Sequence, residues 1–75
     1  MKIEYDDKSD LLYIRFDETI QKVINQRVSD NIVLDIGENN KIVGIEILDA
    51  MDVINLGNLL PVTYFYKEQK ELVPV

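Results

Sequence analysis

The chain contains neither cysteine nor histidine. The absence of cysteine excludes disulfides and thiolate metal sites, and the absence of histidine removes imidazole ligands and the commonest general base. A chain of 75 residues makes one domain, and a domain near this size buries only ~60% of the surface that its unfolded form exposes. Its stability is marginal unless a disulfide, a metal or a partner chain adds to it. We therefore expect a single domain, residues 1–75, that holds no cofactor or metal and relies on self-association.

Basic residues are few and scattered. Eight lysines and arginines stand against fourteen aspartates and glutamates, which gives a net charge of −6, and no two of the basic residues are adjacent. Nucleic-acid binding depends on clustered lysine and arginine, so we expect no direct binding of DNA or RNA. An acidic chain suits a basic partner protein instead.

Long apolar runs are also missing from the sequence. The longest run covers only a few residues, far short of the ~20 that a membrane-spanning helix needs. Residues 1–6 have no apolar core and no small-residue cleavage site of the kind found in signal peptides. We expect a cytoplasmic protein without a membrane association.

What the chain does contain is an apolar pattern with a period of two, which indicates half-buried strands. Four stretches carry it: Ile3 and Tyr5; Leu12, Ile14 and Phe16; Ile32, Leu34 and Ile36; and Val43, Ile45 and Ile47. The weaker segment 23–28 is predicted to be a strand near the sheet edge. Short polar breaks separate the stretches, the clearest being the hairpin loop at residues 37–41. Connections this short favour antiparallel neighbours.

The period changes at Asp49. Asp49 as N-cap and Asp52 as a weak capping-box partner predict one or two helical turns, with Gly57 as a stop. Residues 62–67 have strand composition and also helical spacing, and we prefer a strand. The predicted fold class is α+β and mainly β, an antiparallel β-meander of four to five strands followed by a short helix, with the C-terminal segment as a further strand.

One face of the predicted sheet is apolar and carries the alternating residues of all four stretches. A helix of about six residues is only ~9 Å long, whereas five strands make a sheet ~20–25 Å wide. The helix cannot cover that face alone, so the cover must come from residues 59–66 or from a second subunit. We predict a homodimer with two-fold symmetry, and we place Tyr64, Phe65 and Tyr66 in its interface.

Three stretches resemble the bacterial and archaeal family called domain of unknown function 2283. They are K-I-E-Y-D at residues 2–6, D-L-L-Y-I-R-F at residues 10–16, and I-V-L-D-I at residues 32–36 leading to I-V-G-I-E-I-L-D-A at residues 42–50. The likeness covers about residues 1–54, and residues 55–75 form a C-terminal extension. It implies a small β-rich domain with a short helix and no established activity, cofactor or catalytic residue. Some members look as though they are encoded beside small RNase-like toxins, which suggests an antitoxin-type role.

Asp35 and Glu46 form the candidate surface, because the alternation puts both on the polar face, where they could be neighbours across a hairpin. Paired carboxylates carry out acid–base chemistry in clefts, and a small open sheet offers no cleft without a dimer. We therefore predict no catalytic residue and no enzymatic activity.

The leading functional hypothesis is a protein-interaction module, antitoxin-like in type, that binds a small basic protein. One alternative is a small-molecule or divalent-metal binder at a homodimer seam, where Asp35 and Glu46 would supply oxygen ligands that suit Mg²⁺ or Ca²⁺. Another alternative is a structural subunit of a larger assembly.

Overall fold

Five strands form one antiparallel sheet, and a short helix follows the last of them. The computed structural model describes residues 1–59 and 61–65. The elements are β1 (Lys2–Asp6), β2 (Leu11–Arg15), β3 (Ile24–Arg27), β4 (Ile32–Ile36), β5 (Ile42–Leu48) and α1 (Ala50–Val53). Single 3-10 turns lie at Glu38–Asn40 and Leu56–Asn58. The predicted fold class, a mainly β antiparallel sheet with a short helix after it, is confirmed.

The strands lie in the order β1-β2-β5-β4-β3. Strands β3, β4 and β5 form a meander, and the hairpin of β1 and β2 joins it along β5. Residues 16–23 therefore link two strands that are not neighbours. This connection passes the end of the sheet, where the Phe16 amide donates to the Val43 carbonyl at 2.8 Å and the Glu38 amide donates to Gln21 Oε1 at 2.8 Å. Strand β3 lies at a sheet edge, as predicted.

The loop between β4 and β5 turns through two asparagines. Asn39 and Asn40 both have positive φ, at 61° and 58°, a conformation that asparagine tolerates better than most residues. Gly37 has a φ of −95° and is needed for space instead. A Cβ atom there would meet the Gln21 side chain and lie 2.7 Å from Val43 Cγ1. The predicted hairpin loop is present, and its glycine admits the residue 16–23 connection.

The capping prediction at Asp49 is confirmed in position but wrong about the side chain. Asp49 is the N-cap residue of α1, but it is in the left-handed conformation with φ 53° and its side chain makes no capping hydrogen bond. Asp10 provides the cap from the β1–β2 turn, because its carboxylate accepts from the Met51 amide at 3.1 Å and its carbonyl accepts from the Ala50 amide at 3.0 Å. The Asp49 carboxylate instead accepts from Asn31 Nδ2 at 3.4 Å.

Two predictions about the C-terminal third are also wrong. The helix ends at Val53, and Gly57 lies within the second 3-10 turn, so that Gly57 does not stop α1. Residues 62–65 form no strand and have exposed side chains. Residues 66 and 67 of the predicted strand lie outside the described residues.

The register divides the sheet into two faces. Ile3 pairs with Ile14, and Ile45 lies between Ile14 and Leu34, so that one face is apolar, as the alternation predicts. This apolar face comprises the following side chains: Ile3, Tyr5, Leu12, Ile14, Ile24, Gln26, Ile32, Leu34, Ile36, Ile45 and Ile47. The opposite, polar face carries the alternate residues.

The apolar face is only partly covered. In the described part of the chain, the buried apolar residues are Leu12, Val43 and Ala50. Most other side chains of the apolar face are half-buried, and Ile24 is 72% exposed. Helix α1 contributes Ala50 to the core, whereas Met51 and Val53 face solvent. The helix therefore does not roof the sheet.

Candidate functional site

A polar cluster lies on the polar face around the side chain of Asp35. Asp35 is opposite Gly44 on β5, and Tyr13 on β2 is opposite Glu46. The ring of Tyr13 crosses diagonally over Gly44, where a Cβ atom would lie 2.6 Å from its Oη and 3.0 Å from its Cζ. The Tyr13 hydroxyl thereby reaches across β5 and donates to Asp35 Oδ2 at 2.8 Å. Glycine at position 44 is what opens this path.

Asn25 on the edge strand β3 completes the cluster. It lies opposite Asp35, and its Nδ2 donates to Asp35 Oδ1 and to Glu46 Oε2, the latter at 3.4 Å. The two carboxyl groups singled out in the sequence therefore meet at one amide. Asp35 is 6% exposed, and a buried carboxylate is tolerable because both of its oxygens accept hydrogen bonds.

Burial and the neighbouring carboxyl group shift the acid–base properties of the cluster. The pKa of Glu46 is raised because partial burial penalises its charged form and because a hydrogen bond with Asp35 and the charge of Asp35 favour the protonated form. The pKa of Tyr13 is raised as well, first by burial and then by its hydrogen bond to Asp35. Both shifts favour proton-bound forms.

The chemistry open to this cluster is limited. Both oxygens of Asp35 accept hydrogen bonds from protein donors. Within residues 1–59 and 61–65, no three or more acidic side chains lie close enough together to hold a metal ion. The cluster lies on an open sheet face, and the Tyr13 hydroxyl is held in its hydrogen bond to Asp35 at 2.8 Å. What the arrangement does is join β2, β5, β4 and β3 through side chains.

Sequence reasoning found the carboxyl groups but missed Asn25 and the role of Tyr13. In the sequence, Asn25 is one polar residue of the weaker segment 23–28, and Tyr13 lies among the alternating residues of the polar face. A signal was available: Asn25 and Asp35 are equally spaced from the turn between β3 and β4, so that a hairpin register places them opposite each other. The reach of Tyr13 to β4 depends on strand order and could not be found in this way.

A second feature is the uneven distribution of charge along the sheet. The β1–β2 turn, the β3–β4 turn and the start of α1 lie at the same end, because the Ala50 amide donates to the Asp10 carbonyl and the Leu48 amide donates to the Asn31 carbonyl. We call this the acidic end, and its carboxylates are Asp6, Asp7, Asp10, Asp30, Asp49 and Asp52.

Few cations offset the acidic end. Only Lys8 and Arg27 stand against its six aspartates, which leaves a net charge of −4 there. At the other end Asp17, Glu18, Glu38 and Glu4, which pairs with Lys2 at 2.8 Å, face Lys2, Arg15, Lys22 and Lys41, a net charge of zero. Most of the excess negative charge of the chain is therefore collected at one end of the sheet.

The predicted interface aromatics lie beyond the sheet. Tyr64 and Phe65 are 77% and 68% exposed, and Tyr66 is outside the described residues. Their part in an interface stays a prediction. The same holds for the cytoplasmic location. In the described ranges, none of the helices has the length and apolar character needed to cross a membrane.

Comparison with known proteins identifies a family but no activity. No curated protein and no solved structure matches the chain significantly. A family model described as protein of unknown function (DUF2283) matches residues 2–50, which include all five strands and the first residue of α1. The matched region contains the whole polar cluster. The resemblance seen in the sequence is thus confirmed, and the chain belongs to the DUF2283 family.

Proposed function

We propose that the chain is a protein-interaction module that binds a basic protein through its acidic end. The observation that carries the proposal is the net charge of −4 collected at that end, against zero at the other. Charge of one sign on one surface steers an oppositely charged partner and fixes its orientation more than it adds affinity. The rest of the sheet lacks such a field.

Apolar groups beside the charges support the same surface. Met51 and Val53 on α1 are 69% and 41% exposed, and Asp49 and Asp52 flank Met51 in the sequence. Interfaces combine an apolar centre with a polar rim, and methionine adapts to varied partner shapes. An antitoxin-type role, in which a small basic protein is held at this surface, is one form of the proposal.

The test compares two charge-reversal variants with equal net charge. Asp7→Lys/Asp52→Lys changes the acidic end, and Glu18→Lys/Glu38→Lys makes the same change at the other end. A tagged chain is used to recover partners from the native host at low salt, and the recovered protein is purified and its affinity measured for each variant by calorimetry.

We expect a basic partner whose affinity falls by about tenfold or more for the acidic-end variant and far less for the control. Affinity of the wild type should also fall steeply with salt, because screening reaches ~8 Å at physiological ionic strength. Recovery of no partner protein, or equal losses for both variants, contradicts the proposal.

A further inference from the structure

We propose that the apolar face packs against the apolar face of a second copy, so that two sheets form a two-fold symmetric sandwich. This surface is distinct from the acidic end. The proposal rests on three observations about the described residues: the small core, the absence of charge on the apolar face, and the area of that face.

The core is small for a chain that folds alone. The buried apolar residues in the described part are Leu12, Val43 and Ala50, and each fully buried residue of the larger kind contributes only ~1.5–3 kcal/mol. The half-buried isoleucines and Leu34 on the apolar face gain the rest of their burial only when something lies on them. A sheet with one apolar face needs a second layer to be stable.

The absence of charge on this face favours a second copy of the chain over a basic partner. Every strand residue on it is uncharged, from Ile3 on β1 to Ile24 and Gln26 on β3, although the chain as a whole carries −6. Two copies can therefore meet here without bringing like charges together. A basic partner would gain no ion pair on this surface, whereas a second copy offers a face with matching chemistry.

The area of the face fits a small dimer interface. Five strands spaced by ~4.8 Å and five residues long at ~3.4 Å per residue cover on the order of 400 Å² in projection. Pleated side chains expose more than their projection, so two faces supply on the order of 1,000 Å², the size at which specific interfaces begin. Helix α1, with four residues, is only ~6 Å long and covers far less.

Charge at the sheet ends determines how the two copies are oriented. Packed sheets keep their strand directions within about 30° of each other. A two-fold axis along the strands would bring the two acidic ends together, whereas an axis across the strands places them at opposite ends. The second arrangement avoids the repulsion and lays Ile32 of one copy over Ile36 of the other.

The first experiment measures mass and stability with matched variants. Sedimentation of the wild type should give twice the 8.7 kDa of one chain, and its melting temperature should rise with protein concentration. Leu34→Lys on the apolar face should lower the dimer affinity by a hundredfold or more. Val33→Lys, the adjacent residue on the polar face, should leave the affinity within a factor of about three. A folded wild-type monomer at millimolar concentration overturns the proposal.

A second experiment does not depend on whether Leu34→Lys folds. Because the chain contains no cysteine, a single introduced thiol reports contact between copies. Packed sheets lie ~10 Å apart, which is too far for a direct disulfide, so a short thiol-reactive cross-linker with two maleimide groups is used. It should link two copies of Ile45→Cys, on the central strand of the apolar face, and should not link two copies of Val33→Cys. Ile32→Cys mixed with Ile36→Cys should give the mixed cross-link in preference to either self-pair. A dimer that is linked through Val33→Cys and not through Ile45→Cys refutes the assigned face.

Discussion

Gly44 occupies the one position of β5 that the Tyr13 ring must cross to reach Asp35. Its missing side chain leaves room for a hydroxyl that would otherwise come within 2.6 Å of a Cβ atom. The hydrogen bond made possible there, at 2.8 Å, satisfies one oxygen of a carboxylate that is 6% exposed. A buried acceptor that loses its donor pays a desolvation penalty, so this glycine stabilises the fold through a neighbour.

We predict that Gly44→Ala lowers the free energy of unfolding by about 1–3 kcal/mol, because the methyl group displaces Tyr13 and leaves Asp35 with one donor fewer. Urea unfolding followed by circular dichroism measures it. Gly57→Ala is the matched control, since the nearest atom to a Cβ there is 3.3 Å away and the φ is not positive. Equal losses in the two variants would show that the close approach of Tyr13 is unimportant.

Glu46 should make part of the stability depend on pH. Its pKa is raised in the folded chain by burial and by Asp35, so the unfolded chain releases this proton first. The contribution is fully present below the ordinary pKa of about 4.5 and is lost as the pH rises through the raised value. Glu46→Gln should remove this dependence. At pH 7 it should raise the free energy of unfolding by under ~1 kcal/mol, because the site is partly open to solvent.

The measurement is urea unfolding of both proteins between pH 4 and pH 8, with the difference in free energy plotted against pH. Taking the difference removes the contributions of groups that both proteins share. These include Asp6 and Asp17, whose pKa values are lowered by hydrogen bonds from the Ser9 side chain and the Thr19 amide respectively. Those two act in the opposite sense, since their stabilisation is lost in acid. A difference that stays flat across the range would contradict the assignment.

At the scale of elements, Asp10 holds the β1–β2 hairpin to α1. It sits in the left-handed conformation with φ 53°, and its carboxylate accepts from the Met51 amide and from the Tyr5 hydroxyl, the latter at 2.7 Å. The hydrogen bond to Asp10 is the main cause that raises the pKa of Tyr5 to about 12. One turn residue therefore fixes the start of a helix 40 positions along the chain.

We expect Asp10→Ala to lower the free energy of unfolding by about 1–2 kcal/mol, because the cap is lost and alanine is strained at positive φ. Asp10→Asn should cost less, since asparagine tolerates this conformation and keeps one acceptor. An independent measurement is the ultraviolet titration of the tyrosines. In Asp10→Ala the highest of the tyrosine pKa values should move from about 12 towards 10.0. An unchanged titration would contradict the role given to Asp10.

Local pattern predicts the strands of this fold because each face of the sheet meets one environment. The alternation of Ile32, Leu34 and Ile36 and the asparagines of the 37–41 loop are both reproduced. Strand order is a different matter: β2 pairs with β5 because residues 16–23 pass the sheet end, and no short pattern encodes that path. The predicted side-chain cap at Asp49 is wrong for the same reason, because Asp10, which makes the capping hydrogen bond, is distant in sequence from Met51.

The candidate site was predictable in part. Period two places Asp35 and Glu46 on one face, and the structure brings both to Asn25. Tyr13 acts across an intervening strand, so its partner follows from the β2–β5 pairing and from the small size of Gly44. The part of the cluster that the sequence does not predict depends on pairing between strands that are distant in the sequence.

On the scale of the whole molecule, charge separation should affect stability as well as binding. Like charges at the acidic end repel, and Asp7→Lys/Asp52→Lys relieves that repulsion while touching no side-chain hydrogen bond found in the described residues. We predict that this variant gains about 0.3–1 kcal/mol in the free energy of unfolding at low salt. The gain should shrink above 0.5 M NaCl, because the salt then screens the repulsion that the substitution relieves.

Thermal unfolding at several salt concentrations measures this gain. Glu18→Lys/Glu38→Lys is the control. The other end has a net charge of zero, so this variant adds positive charge where there is no negative excess and should be destabilised or unchanged. A salt-independent gain, or the same gain in both variants, would show that the uneven distribution of charge has no energetic effect.

The collection of carboxylates at one end of the sheet has a geometric consequence for assembly. With the two-fold axis across the strands, each dimer is bivalent, and its two acidic surfaces point away from each other along the strand direction. Such a particle can tether two cationic molecules at once and hold them apart by the length of the sandwich. Its stoichiometry with a partner would be two to two, and a partner with two binding sites of its own would be drawn into linear chains.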